Sequence, residues 1–98
     1  MKFARSVQFL IKSGKEKEFT RLFDTEVLPV LRQQPGFKNQ LILVHENRGM
    51  GISLWNDKGA VEQYQTSTYP RILEKLNPVM EGVPKVETFE VTTTTLTA

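Results

Sequence analysis

The chain has no cysteine, one histidine and one tryptophan, and these shortages exclude several kinds of chemistry. Without cysteine there is no disulfide framework, no thiolate nucleophile and no cysteine-ligated metal or iron–sulfur site. One histidine among scattered carboxylates gives neither the spacing of a metal site nor a Ser-His-Asp set. A chain of 98 residues is therefore left with few places to do chemistry.

Strong charge and long hydrophobic runs are also missing. The net charge is only +2, from 13 basic and 11 acidic residues, which gives no sign of a nucleic-acid partner. No apolar run approaches the length of a membrane span, and the N-terminal segment lacks the long apolar stretch of a secretory signal. We therefore expect no membrane association, a cytoplasmic location and one domain covering residues 1–98.

The periodicity of the apolar residues predicts the order of the elements. Four segments have the composition of strands: 3–11, 37–45, 50–55 and 85–96. Two segments have the helical period: 15–33, interrupted at Pro29, and 56–80, weakened at 66–68 and restarted at Pro70. In the first strand one parity is apolar except for Arg5. The order predicts a ferredoxin-like α+β fold, βαββαβ, with a four-stranded antiparallel sheet and both helices on one face.

The two central strands are apolar on both parities. Leucine, isoleucine and valine follow one another over 41–44, and Ile52 and Leu54 lie opposite them. A sheet covered on one face only should alternate between apolar and polar residues. Two short helices cannot cover both faces, so we predict a homodimer formed through the sheet face.

The turn between these strands decides which side chains share a face. We favour a three-residue loop, Asn47-Arg48-Gly49, with Gly49 in the left-handed conformation that glycine adopts easily. This register places His45 and Trp55 on one face. It leaves an apolar opposite face made of Ile42, Val44, Ile52 and Leu54. A loop of two or four residues would place His45 and Trp55 on opposite faces.

Four side chains are candidates for a site, and each also has a purely structural interpretation. His45 titrates near neutral pH and suits a general base, or it is an exposed histidine at a strand end. Trp55 forms a pocket wall or packs in the core. Tyr64 and Tyr69 orient a phenolic ligand through their hydroxyls, or they stabilise the second helix.

A combination of short motifs resembles the antibiotic biosynthesis monooxygenase (ABM) domain, a family of dimeric α/β barrels. Pro35-Gly36-Phe37 ends a helix, a hairpin ends in Trp55, a helix with Ala60 and Tyr64 follows, and the last strand is rich in valine. The similarity extends from Phe3 to about Val91. It implies a ferredoxin-like protomer, a dimer, and a small pocket in each protomer between sheet and helices.

The function implied by this resemblance is oxygenation. Some members oxidise polycyclic phenols to quinones with dioxygen, using neither metal nor flavin, and others cleave haem. In the haem-degrading branch a histidine on the second helix binds iron and an asparagine on the first strand assists. Here residues 64–66 are Tyr-Gln-Thr, and residues 3–11 contain no asparagine, so haem degradation is the least favoured function.

The resulting prediction is a cofactor-independent monooxygenase acting on a small hydrophobic or aromatic, phenolic substrate. His45 and Trp55 are the predicted catalytic residues, Tyr64 and Tyr69 the predicted substrate-binding residues, and no metal or cofactor is expected. The alternative is a non-catalytic dimeric ligand-binding or scaffold protein of the same fold.

Overall fold

The chain forms one four-stranded antiparallel sheet, seen in a computed structural model that describes residues 2–96. Its strands are β1 (Phe3–Ile11), β2 (Phe37–His45), β3 (Arg48–Trp55) and β4 (Met80–Glu90). They lie in the order β2-β3-β1-β4, with every neighbouring pair antiparallel. The predicted ferredoxin-like fold is confirmed. The domain predicted over 1–98 includes residues 1, 97 and 98, which lie outside the described residues.

The first helical region connects β1 to β2 and consists of α1 (Glu16–Leu22), a π-helical segment (Phe23–Val27) and α2 (Leu28–Arg32). Pro29 lies in the first turn of α2. Proline has no N–H to donate to the carbonyl of Thr25, and in a regular α-helix its ring would clash with that carbonyl. The wider π turn just before it accommodates this conflict, so the predicted interruption at Pro29 takes the form of a π segment.

The second helical region crosses back over the sheet as α3 (Lys58–Ser67), α4 (Tyr69–Leu76) and a short 3₁₀ turn (Asn77–Val79). The Asp57 carboxylate caps α3 by accepting a hydrogen bond from the Ala60 N–H at 2.9 Å. Pro70 lies in the first turn of α4, where its missing N–H does no harm. The break between α3 and α4 therefore falls where the sequence predicts it.

The β2–β3 turn has two residues, Glu46 and Asn47, so the predicted three-residue loop is wrong. His45 pairs with Arg48, and the left-handed residue is Glu46, with φ of 56°, rather than Gly49. Gly49 lies inside β3 against the ring of Phe9, and a Cβ added there would overlap that ring. The glycine is needed for this close approach and not for the turn.

The last strand also differs from its prediction. β4 begins at Met80, five residues before the predicted start at 85, and it ends at Glu90 instead of 96. Gly82, with φ of 70°, accompanies an irregularity in its pairing with β1 between Gln8 and Leu10. Residues 91–96 have no regular secondary structure, although the Val91 N–H donates to the carbonyl of Lys2 at 2.9 Å.

The two faces of the sheet are very different. The covered face lies under the helices, and its strand residues Phe9, Ile11 and Trp55 are buried in one core with side chains from every helical segment. The open face has no helix over it. It presents Leu41, Leu43, Met50, Ile52, Leu54 and Phe89. The two-residue turn puts Leu41 and Leu43 there, where the predicted register had placed Ile42 and Val44.

No helix within residues 2–96 has the length and hydrophobicity needed to cross a bilayer.

Candidate functional site

A cavity of about 50 Å³ lies between the covered face and the helices. β1 and β3 form its floor, and the π segment and α4 contribute to its walls through residues such as Phe23, Val27 and Leu76. Most of the lining is apolar. The polar lining residues are Arg5, Gln40, Ser53, Tyr64 and Tyr69.

Arg5 is the most unusual of these residues, because its side chain points from β1 into the core and is only 3% exposed. Its Nε donates a hydrogen bond to the Gln65 side-chain oxygen at 2.7 Å. The guanidinium carbon lies 4.0 Å from the centre of the Tyr69 ring and 5.1 Å from that of Tyr64, within cation–π distance of both. Two aromatic rings and one amide therefore surround this charge.

No carboxylate pairs with Arg5. The ion pairs found within residues 2–96 lie at the surface, and none includes this guanidinium. Burial lowers the pKa of Arg5, although the two tyrosines partly oppose this shift. Charges removed from water are normally paired, so an arginine held only by rings and an amide is an exception.

Two polar atoms of residues that line the cavity lack a hydrogen-bond partner in the described part of the chain. They are Nη2 of Arg5 and the hydroxyl of Tyr69, and both are buried. The two side chains lie close enough to oppose the effect of burial on each other's pKa, but these atoms do not meet the geometry of a hydrogen bond. A buried donor without a partner destabilises a protein by about 1–3 kcal/mol, and a charged donor by more. Buried polar atoms without a partner are uncommon in stable cores and are typical of sites that bind another molecule.

The two tyrosines remain protonated over the ordinary pH range. Burial raises the pKa of Tyr64 to about 12, against the opposing charge of Arg5. Burial likewise raises the pKa of Tyr69, and again Arg5 opposes the shift. Both hydroxyls can therefore donate hydrogen bonds to a ligand at neutral pH, but neither is suited to accept a proton.

Trp55 is completely buried and lies next to the cavity lining rather than in it. Its Nε1 donates to the hydroxyl of Ser53 at 2.8 Å, and its ring packs 4.9 Å from that of Tyr64 and 5.4 Å from that of Phe37. Trp55 therefore supports Tyr64 from behind. The catalytic role predicted for Trp55 stays a prediction, and through Tyr64 it would be a positioning role.

His45 lies on the open face, and its side chain is 76% exposed. Its Nε2 is 4.0 Å from a carboxylate oxygen of Glu46, at the tip of the hairpin. The structure therefore brings Tyr64 and Tyr69 together at the cavity, with Trp55 behind them, and leaves His45 on the other side of the sheet. The role of His45 as a general base stays a prediction.

Arg5 is the residue that sequence reasoning left without a role, although the sequence contained a signal for it. It is the one charged residue on the apolar parity of β1, between Phe3 and Val7. A charge at a core-facing position of a strand indicates either an exposed edge or a buried polar site. In the structure β1 pairs on both sides and is central in the sheet, so Arg5 belongs to a buried polar site and not to an exposed edge.

Metal ligands are absent from this arrangement. Among the described residues, no three histidine, aspartate or glutamate side chains come close enough to hold a metal ion.

The chain is thus a ferredoxin-like domain with a small cavity between its sheet and its helices. No protein-family model matches the chain, and no curated protein matches it. Solved structures do match. SnoaB, a cofactor-independent oxygenase from Streptomyces nogalater, superposes with a TM-score of 0.79 at 17% identity, covering 96% of each chain.

Two further structures show the same fold. A protein of unknown function from Nitrosomonas europaea has a TM-score of 0.84 at 17% identity, covering 99% of this chain and 95% of its own. A Bordetella bronchiseptica protein provisionally named an antibiotic biosynthesis monooxygenase has a TM-score of 0.79 at 12% identity, covering 94% of this chain and 98% of its own. The chain therefore has the fold of the ABM structures, as the resemblance in sequence predicts.

Proposed function

We propose that the protein is a cofactor-independent oxygenase for a small phenolic substrate that binds at the covered face. The observation that carries this proposal is the cavity between sheet and helices, apolar except for a few donors that include Arg5, Tyr64 and Tyr69. Apolar walls limit the water around a reactive anion, and neutral hydroxyls orient an oxygen ligand. The shared fold with SnoaB supports the same reaction class.

In the proposed reaction the substrate hydroxyl loses its proton, and the electron-rich ring reacts directly with dioxygen. One oxygen atom replaces hydrogen at a ring carbon and becomes a carbonyl, the other leaves as water, and the product is a quinone. Tyr64 and Tyr69 donate hydrogen bonds to the substrate oxygen, and Trp55 holds Tyr64 in place. His45 lies outside this cavity, so the phenolic proton passes to water in this scheme.

The cavity must widen to admit such a substrate. It measures about 50 Å³, whereas an apolar cavity of about 150 Å³ is needed to hold benzene. Among its lining residues, Ile42 and Leu73 are partly exposed. We expect the substrate to enter beside Leu73 as α4 moves away from β2.

Oxygen consumption tests this function. The protein is mixed with a panel of hydroxynaphthalenes and hydroxyanthracenes, and dioxygen uptake is followed with an electrode while quinone formation is followed by absorbance. We expect uptake with at least one member, reduced at least tenfold by Leu73→Trp, which blocks the cavity. Leu22→Trp is the matched control, because Leu22 is also partly buried but lies away from the cavity lining.

Background uptake with every phenol would contradict the oxygenase. If the same phenols nevertheless bind, the protein is a ligand-binding domain of the same fold. The small size of the cavity makes this the second candidate, because a binding protein needs room for its ligand but none for dioxygen.

We also propose that a second copy of the chain covers the open face. Leu41 and Phe89 are each 50% exposed, and Leu43 is 48% exposed, on a face with no helix over it. Large apolar side chains exposed together on one face are typical of an interface. A twofold dimer with sheet packed on sheet would bury it in both copies, and sedimentation should give twice the mass of the chain.

A further inference from the structure

We propose that Arg5 is an anion-binding residue, and that the cavity takes its phenolic ligand as the phenolate rather than as the neutral phenol. The inference rests on the proposed function for the place of the ligand. It goes further by naming the ionisation state that the site selects and the residue that selects it.

The first argument is charge. The side chain of Arg5 is buried among apolar residues without a carboxylate, whereas the ion-paired lysine and arginine side chains of the described segment are at least partly in water. A buried cation that lacks a counter-charge makes its surroundings favourable for an anion. An anionic ligand would supply the negative charge that pairs with Arg5.

The second argument is the direction of the free donor. The Nε of Arg5 donates a hydrogen bond to Gln65, and the ring of Tyr69 covers one face of the guanidinium. These two contacts fix the orientation of the guanidinium. Nη2 and the hydroxyl of Tyr69 have no partner within residues 2–96, and both residues line the cavity, although neighbouring groups cover the two atoms in the ligand-free protein. When the cavity widens, two donors from two residues can meet a single anionic oxygen that accepts from both.

The third argument separates phenolate from other anions. Arginine binds a carboxylate best through two parallel hydrogen bonds, and here Gln65 occupies Nε, which leaves only the edge between the two Nη atoms for such a pair. A phosphate needs many donors, whereas the rest of the lining is apolar and includes Val7, Phe9 and Met80. One anionic oxygen on an aromatic ring fits both the donors and the apolar walls.

The test measures the protonation state of a bound phenol. The probe is 4-nitrophenol, because its phenolate and neutral forms absorb at different wavelengths, and it is titrated with pH in the presence and absence of excess protein. We expect the bound probe to ionise at least one pH unit below the free probe, which corresponds to about tenfold tighter binding of the phenolate. A bound probe that ionises at or above the pH of the free probe overturns the proposal, and so does failure to bind.

Variants assign the effect to Arg5. We expect Arg5→Met, which keeps a long apolar side chain, to abolish the preference for the phenolate, and Arg5→Lys to restore it in part. Arg21→Met, an exposed arginine on α1, should bind as the wild type does. A phenolate preference that survives Arg5→Met contradicts the assignment.

Tyr69→Phe provides a test that does not depend on whether the Arg5 variants fold. It preserves the ring that packs on the guanidinium and removes only the unpartnered hydroxyl. We expect a threefold or greater loss of phenolate affinity with little change for the neutral phenol, and equal losses for both forms would contradict the second donor.

The outcome is separable from that of the oxygenase proposal. Arg5-dependent phenolate binding without oxygen uptake supports this inference and refutes oxygenation. Oxygen uptake without any preference for the phenolate supports oxygenation and refutes this inference.

Discussion

The covered and open faces of the sheet each depart at a few positions from the usual distribution of side chains. A sheet with one face under helices normally buries apolar residues there and shows polar residues to water. Here the covered face buries Arg5 and Ser53, while the open face leaves Leu41 and Leu43 half exposed. Each face departs from the rule for a different reason. The polar groups under the helices belong to a candidate site, and the apolar groups on the open face need another surface.

The covered face should be the more sensitive to loss of volume. Trp55→Ala removes a completely buried ring that contacts Tyr64 and Phe37. We expect the free energy of unfolding, measured by urea titration, to fall by about 3–5 kcal/mol. Glu74→Ala, an exposed position on α4, is the control and should change it by less than about 0.5 kcal/mol. A loss below 1 kcal/mol for Trp55→Ala would show that the ring is not part of the core.

A charge on the open face should separate the two copies without unfolding either. Leu41→Glu would place a carboxylate in the proposed interface, at a cost of several kcal/mol for each buried ion. We expect the dissociation constant of the dimer, measured by analytical ultracentrifugation, to rise roughly a hundredfold or more.

The control for this charge is Gln63→Glu, on the exposed side of α3, which adds the same charge away from the sheet. It should leave the dissociation constant unchanged. A dimer that tolerates Leu41→Glu would mean that the copies do not meet through this face.

Alkaline pH should weaken the covered face through Tyr64, whose pKa is raised from 10.0 to about 12 by burial. Because the folded protein holds this proton more tightly than the unfolded chain, the stabilisation is fully present below pH 10 and is lost as the pH rises through 12. The loss should reach about 2–3 kcal/mol. Urea titrations between pH 9 and 11.5 should show this decline, and Tyr64→Phe should reduce its slope, leaving the part that comes from the raised pKa of Tyr69.

The unpartnered hydroxyl of the covered face offers a smaller effect of opposite sign. Tyr69→Phe removes a buried donor that has no partner within residues 2–96. We expect the ligand-free protein to gain about 1 kcal/mol of unfolding free energy in urea titrations, because the folded state no longer buries that group. A loss of stability would show that the hydroxyl is satisfied in solution.

The smallest effect should come from His45, at the margin of the open face. His45→Gln is expected to change the unfolding free energy by less than about 0.5 kcal/mol, because the imidazole is largely in water. Oxygen uptake should change by less than twofold. A larger fall in oxygen uptake would support the predicted general base instead.

The periodicity of the apolar residues, with breaks at Pro29 and Pro70, predicted the order of the elements and from it the fold. The register of the hairpin was not predictable, because Gly49 has two possible uses that the sequence does not distinguish. Glycine serves a left-handed turn and also the close approach of another group, and here the second use applies: the ring of Phe9, forty residues earlier, lies against it. That contact is set by tertiary packing.

The candidate site was predictable in part. The aromatic residues of the second helical region identified Tyr64 and Tyr69, which do line the cavity. Arg5 was visible only as an exception to an apolar pattern, since no local rule says that two rings from two distant helices will cover it. The predicted three-residue turn placed His45 and Trp55 on one face of the sheet. The turn has one residue fewer, and this places them on opposite faces.

The single tryptophan has one more consequence. Because Trp55 is the only indole in the chain and is stacked beside Tyr64, its fluorescence reports on one place. A ligand that displaces Tyr64 alters the surroundings of that indole, so filling of the cavity should change the emission spectrum of the unlabelled protein. Trp55 is thus an intrinsic fluorescent probe that lies directly behind the residues a ligand would contact.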